Sequence, residues 1–503
     1  MSDPADLSAT EARRLIGQRA LSPVELTEAC LARVHLLNPV VNAVVAMNED
    51  TLMAEARASE ARVMSDLPLG PLEGLPFGVK DMINVTGLPT TLGSLIYKDN
   101  IARDDDPIVA AMRAAGALVL GKTNNPEFSL GGNTRNSVYG ATGNPHDPTR
   151  NAAGSSGGSA VALACGMAPL CTGSDTGGSL RNPAAFCGVV GFRPSPGVVP
   201  GNARSVGLFH FATSGPMART VDDTAMMLGV MARPDRRDPM TPVIDGRTPW
   251  DPAVLASPPR TDAARWRVAV TEDFGFTLTE GIIRRAFGAR MSWLRPYLGD
   301  VREVHPDCTG ADRIFSVVRG VQMLTTHLAG VRANPELYGP NAIDNVAEGL
   351  SFGAEDIAQA LADQTAYYRR WQAFFEEHDF ILSPAVTISP RNWLELYPVE
   401  VDGQRTSSYY QWLSLAYAST LAGHPSITIP VGRDEAGMPF GLQIIGRRNE
   451  DAKLLSFARE IEAICASDST FAPPRVDVAA LARHQPVSAM PGFMGFDLTD
   501  LQG

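Results

Sequence analysis

Two loops rich in glycine and serine stand close together in this chain, "NAAGSSGGSA" at 151–160 and "SDTGGSLRNPAAFCG" at 174–188. Glycine loses more backbone freedom on folding than any other residue, so such loops are costly to order. They point to something that needs close approach of the backbone: a phosphate, a partner or a reacting carbonyl. In "SDTGGS" the consecutive amides of Thr176, Gly177, Gly178 and Ser179 can converge on one point as an anion-binding nest. An oxyanion developing on an attacked carbonyl would be stabilised there, at roughly 3 kcal/mol per donor. Upstream, Lys80 follows Val79 in the apolar stretch "LPFGVKD". A lysine is expensive to bury unless its charge is relieved. Taken alone, it reads as a strand-end lysine reaching solvent.

Two other motifs compete for attention. "GALVLGKT", Gly116 to Thr123, formally matches the phosphate-cradling GxxxxGK[ST] pattern. Its four intervening residues are Ala, Leu, Val and Leu, which make an apolar strand, and Pro126 stands where a helix should follow. "GSSGG", Gly154 to Gly158, formally matches a nucleophile elbow centred on Ser156. The preceding "NPHDPTRNAA" is polar and turn-like where an elbow needs an apolar strand, and no downstream histidine sits in a context that singles it out as a base. No His/Cys/Asp/Glu cluster has metal-ligand spacing, so no metal and no cofactor is expected.

The ordered set of Lys80, "AAGSSGGSA" and "GSDTGGSLRNPAAFCGVVGFRP" resembles the amidase signature family. Ser155 and Ser179 are 24 residues apart, the spacing that family uses between its two catalytic serines. "GKTNNPEF", "FATSGPMARTVDD" and "GHPSITIPVG" with "GMPFGLQIIG" extend the likeness over most of 60–225 and about 410–447. The resemblance implies a Ser-cisSer-Lys triad. Ser179 is then the nucleophile and joins Thr176, Gly177 and Gly178 in the oxyanion hole, while Ser155 relays its proton to a neutral Lys80. The Gly154–Ser155 peptide is cis in that scheme. Asp175 and Arg181 become groups behind the nucleophile that fix the loops, and Ser156 a structural serine whose hydroxyl caps local amides. The implied reaction is hydrolysis of a linear carboxylic amide, an aryl amide or a carbamate among the candidates, through an acyl-enzyme. The implied partner is a small-molecule amide substrate, with a homodimer admitted as an assembly. Phe128, Tyr139, Phe209, Phe211, Trp412 and Tyr417 are candidate walls of an apolar pocket. The competing reading is the A subunit of a glutamyl-tRNA(Gln) amidotransferase working as a glutaminase. Against it, Arg135 stands where those proteins usually carry an acidic residue suited to glutamine's ammonium.

These residues need a scaffold. The family implies an α/β fold, a large mixed twisted sheet covered by helices on both faces. The residue pattern agrees, because short apolar runs alternate with small-residue helical stretches from 75 to 215. Helices are expected over 1–60, with capping boxes at Ser8/Glu11 and Ser22/Glu25. The signature core is expected over 61–232, a surface connection and mostly helical insert over 233–405, and strands plus a final helix over 406–503, all completing one domain. "HPSITIPVGRDEAGMPFGLQIIG" reads as two strands around a turn at Asp434–Gly437. The 503 residues are 44% hydrophobic and 19% charged, an ordinary globular composition. The formal charge of −12 argues against nucleic-acid binding, and "DRRD" at 235–238 reads as solvated surface. The six cysteines form no CxxC pair and read as buried reduced thiols. No signal peptide and no membrane-length apolar run is seen, so a cytoplasmic location is expected.

Overall fold

The computed structural model describes residues 3–495 except 66, 202 and 203. Eleven strands form one mixed sheet: β1 (Val44–Ala46), β2 (Pro76–Lys80), β3 (Leu118–Thr123), β4 (Leu170–Asp175), β5 (Val190–Arg193), β6 (Thr213–Ala218), β7 (Arg267–Val270), β8 (Asp300–Arg302), β9 (Phe380–Pro384), β10 (Ser426–Arg433) and β11 (Pro439–Gly446). Across the sheet the order is β1-β3-β2-β4-β6-β5-β10-β11-β9-β7-β8. β2 runs parallel to both β3 and β4, whereas β4 and β6 are antiparallel. Successive side chains of a strand point to opposite faces. Every residue of β2, β3, β9 and β11 is buried, so helices and loops cover both faces there. The chain has the α/β fold expected of it.

Five helices bear on the site: α1 (Pro23–Val41), α2 (Gly157–Ala164), α3 (Arg181–Cys187), α4 (Ala311–Ala333) and α5 (Ser414–Leu421). α1 begins with the expected capping box, in which Ser22 Oγ accepts the Val24 N–H and Glu25 accepts the Ser22 N–H. At Ser8 only half of the box forms. Its hydroxyl accepts the Glu11 N–H, while the Glu11 carboxylate turns to Arg14 at 2.6 Å.

The middle of the chain departs from expectation. Residues 233–405 are not only a helical insert, since β7, β8 and β9 complete one end of the sheet. "RVAV" and "FILSP" are strands of four and five residues with three consecutive apolar side chains each, too short for periodicity to separate strand from buried helix. The 235–238 segment is only partly solvated. Arg237 pairs with Asp235 at the surface, but Asp238 is buried against Arg204. β10 and β11 do form the hairpin read from the sequence, with the Gly437 N–H donating to Asp434 O at 3.0 Å. All six cysteines are buried and unpaired. Among the described residues no helix is long and apolar enough to cross a membrane.

Candidate active site

Lys80 is the last residue of β2 and is fully buried. Its neighbours follow from the parallel pairing. Phe77 and Gly78 sit opposite Leu170 and Cys171, so β2 and β4 end side by side. In open α/β sheets, ligands bind beyond the carboxyl ends of such strands. The Lys80 N–H donates to Thr172 Oγ1 at 3.0 Å, and the side chain runs on toward Ser155 and Ser174. Nζ lies 2.6 Å from Ser155 Oγ and 2.9 Å from Ser174 Oγ. Burial pulls the lysine pKa from 10.5 down to about 7, against the opposing pull of the Asp175 carboxylate. At neutral pH a large share of Lys80 is therefore the free amine, the form that can accept a proton.

Ser155 stands on the loop entering α2, and the Gly154–Ser155 peptide is cis. The two glycine/serine loops are bound to each other. The Ser156 N–H donates to Ser179 O at 3.2 Å, and Ser156 Oγ accepts the Ser174 N–H at 3.3 Å. Ser156 itself is fully buried, and its hydroxyl meets the Ser174 backbone and not Lys80. Ser155, Ser174, Thr176, Gly177 and Ser179 all line one cavity of about 360 Å³. A more open depression of about 440 Å³ lies around Arg150, Glu280, Arg285 and Arg391. It holds none of these serines, and its arginines are already paired, Arg391 to Glu280 and Arg285 to Glu435.

Asp175 is not part of a surface pair. It is buried between two guanidiniums, Arg181 at 3.0 Å and Arg193 at 3.2 Å. Burial alone would raise its pKa, but the two arginines overcome that and hold the carboxyl well below the usual carboxylate range. Asp175 also accepts the N–H groups of Gly178 at 2.9 Å and Leu180 at 3.2 Å. This corrects one expectation. The Gly178 amide is committed to Asp175 and does not join the nest. Gly178 has φ +114, and an added Cβ would come within 2.6 Å of Ala416 Cβ, so glycine is required here to make the turn. Thr176, Gly177 and Ser179 keep N–H groups without a protein acceptor among the described residues. Three donors thus remain where four were expected.

The cavity wall differs from the aromatic set read from the sequence. Phe128 and Phe209 line it. Tyr139, Phe211, Trp412 and Tyr417 do not. Phe211 and Tyr417 instead stack on Phe315, at 5.7 and 4.2 Å between ring centroids. Phe315, Arg319, Gln322 and His327 from α4, with Tyr409 and Tyr410, line the same cavity. Burial holds His327 down to about 4, so it is neutral. Ser174 and Arg193 were also missed. Both lie inside motifs singled out in the sequence, and strand alternation puts Ser174 on the same face of β4 as Thr172, the residue that receives the Lys80 N–H. Arg135 is buried and donates to Trp393 O at 2.9 Å and Gly492 O at 2.8 Å. It does not line the cavity.

The two decoys resolve structurally. Residues 118–123 are a fully buried strand, and Lys122 donates to Pro89 O at 2.9 Å and Thr90 Oγ1 at 2.8 Å beside Asp81. Ser156 precedes α2 as a structural link between the loops. Among the described residues no group of three or more His, Cys, Asp or Glu could hold a metal ion.

A large mixed sheet whose β2 and β4 ends carry a buried lysine and two glycine/serine loops defines an amidase-type α/β scaffold. The chain belongs to the amidase signature family, whose members hydrolyse amides: the Amidase family model matches residues 25–455. The chain is 32% identical over 468 residues to an acylamidase of Rhodococcus erythropolis, covering 91% of this chain and 95% of the relative. It is 33% identical over 484 residues to the A subunit of the glutamyl-tRNA(Gln) amidotransferase of Chloroflexus aurantiacus, covering 90% and 96%. The crystal structure of a bacterial aryl acylamidase of the amidase signature family superposes with a TM-score of 0.82 at 26% identity, over 95% of this chain and 99% of that one.

Proposed function

We propose that this protein hydrolyses a small carboxylic amide, an aryl amide or carbamate among the candidates, through an acyl-enzyme on Ser179. Neutral Lys80 takes the proton of Ser155 Oγ as Ser155 takes that of Ser179 Oγ, and Ser179 attacks the carbonyl carbon. The N–H groups of Thr176, Gly177 and Ser179 receive the oxyanion. On collapse the C–N bond breaks, and the proton returns through Ser155 to the leaving amine. Water then attacks the ester along the same relay, releasing the acid and restoring Ser179. The scheme calls on no metal or cofactor. The observation that carries it is a fully buried lysine, brought down to about 7, at 2.6 Å from a serine that shares its cavity with Ser179.

A fluorophosphonate should label the peptide containing "GGSLR", and purified protein should turn over at least one member of a panel of nitroanilides, benzamide, short aliphatic amides and aryl carbamates. Labelling of Ser156 would overturn the assignment of the nucleophile. The amidotransferase reading rests on the 33% identity to the Chloroflexus protein. Glutaminase activity that appears only with partner proteins would establish it in place of a stand-alone amidase.

A further inference from the structure

α4 lines the cavity along one stripe. Phe315, Arg319, Gln322, Met323, Thr326 and His327 all border it, at the three- and four-residue spacing of a single helix face. At a rise of about 1.5 Å per residue, the stretch from Phe315 to His327 covers about 18 Å. Phe315 marks the reacting end, because its Cζ stands 3.1 Å from where a Cβ on Gly177 would be, beside the oxyanion loop. His327 marks the other end. There Ser205 Oγ lies 3.2 Å from Thr326 Oγ1 and ties the loop of Ser205 and Val206 to α4. A cavity of about 360 Å³ drawn out over that length is narrow. An extended ligand fits it, and a compact one fills only one end.

His327 is 5% exposed, with its ring against Phe128 at 4.7 Å and Tyr338 at 6.3 Å between centroids. Neither of its nitrogens has a hydrogen-bond partner among the described residues, and neither is sealed from solvent as Nε2 of His378 is. Buried polar groups in folded proteins are overwhelmingly hydrogen-bonded, so this exception calls for an explanation. The other nitrogens of the stripe do not compete for a ligand: Arg319 Nη1 and Gln322 Nε2 are sealed off, the former beside Glu348.

The ring sets the kind of group it can hold. A carboxylate pairs best with the imidazolium, the form that burial and the Arg319 guanidinium both oppose. An ammonium gains no counter-charge from a neutral ring. A hydroxyl can accept from the imidazole N–H or donate to its bare nitrogen, and no protein contact fixes which nitrogen carries the proton.

We infer that the substrate is an extended amide whose far end carries a hydroxyl group hydrogen-bonded to His327 while the reacting carbonyl sits at Ser179. This rests on the amide-hydrolysis reading and names a specificity-determining residue within it.

The test uses two chain-length series. For the acyl side, ω-hydroxyalkanamides from butanamide to dodecanamide length are each compared with the amide that has methyl in place of the hydroxyl. For the amine side, N-acetyl derivatives of ω-amino alcohols are compared with the matching N-alkylacetamides. Binding is measured calorimetrically to the Ser179→Ala protein, so the answer does not depend on turnover. In at least one series the hydroxyl should give no advantage on short chains and about three- to tenfold tighter binding on long ones. His327→Phe in the same background keeps a ring against Phe128 and removes the nitrogens, so the ratio should fall to about one. His327→Gln, which restores a donor and an acceptor, should recover part of it, with melting temperature as the folding control for both. No hydroxyl advantage at any length, an advantage confined to the shortest chains, a ratio that survives His327→Phe, or binding of none of the probes would overturn the inference. Turnover of the same amides by the unmodified protein tests the amide-hydrolysis reading separately. Hydrolysis without a hydroxyl advantage removes only the His327 contact. A hydroxyl advantage in binding without hydrolysis of any amide removes the amidase reading and keeps the contact.

Discussion

If Lys80 is the base, activity must follow its free-amine fraction. A lysine at its ordinary pKa of about 10.4 is only roughly 0.04% neutral at pH 7. Lys80, lowered to about 7 by burial, is roughly half neutral at that pH. The fold thus raises the concentration of usable base about a thousandfold before any contact with substrate. With an anilide whose acylation limits turnover, kcat/KM should fall about tenfold per pH unit below pH 6 and level off above about pH 8. The same shift has a consequence for stability. Between about pH 7 and 10.5 the unfolded chain keeps the lysine protonated while the folded chain does not. The unfolded state then binds more protons, and the contribution of Lys80 to stability rises with pH across that window. Lys80→Met removes this slope. At pH 7 the variant should melt no lower than the unmodified protein, although its kcat/KM falls by about 10²-fold or more. The pH–rate profile and paired melting curves at pH 7 and 9 are the assays. A kcat/KM that stays flat down to pH 5, or a midpoint that remains near 10, would refute the assignment of Lys80 as the base.

Ser155→Ala should lower kcat by about 10²- to 10⁴-fold at matched folding, because it removes the proton relay; near-normal turnover would sink the three-residue scheme even if Lys80 and Ser179 proved essential. Ser156→Ala, which touches only the tie to the Ser174 backbone, should be clearly milder in the same assay. Ser174→Ala removes an acceptor at 2.9 Å from the ammonium form of Lys80, so the midpoint of the pH–rate profile should move down. Asp175→Asn leaves Arg181 and Arg193 buried without their counter-charge and should cost about 3–5 kcal/mol in a denaturant melt.

Much of the chemistry was written locally. The glycines of "SDTGGS", the two serines and the lysine after an apolar run are short-range features, and their types constrain the reaction they can support. The β10–β11 hairpin was legible for the same reason, since a polar turn between apolar segments is a local signal. What the chain could not show locally is what each group touches. Lys80 and Ser155 are 75 residues apart, and Lys80 and Ser174 are 94 apart; the parallel β2–β4 pairing brings Lys80 to Ser174, and the tie between the two loops brings Ser155 to both. Gly178 looked like an oxyanion donor until the fold placed the Asp175 carboxylate on its amide. Asp175 and Arg181 stand close in sequence, but Arg193, which completes the buried group, arrives on β5. The cavity wall was least legible of all. α4 and residues 409–413 carry no distinctive motif, and the spacing of apolar residues reports that a face is buried without reporting what buries it. The sequence by itself determined the two glycine/serine loops and the residue types from which the proposed chemistry is read. Tertiary structure decided the lowering of the lysine pKa, which amides stay without a protein acceptor and the shape of the cavity, because desolvation and hydrogen bonding depend on atoms the chain supplies from far away.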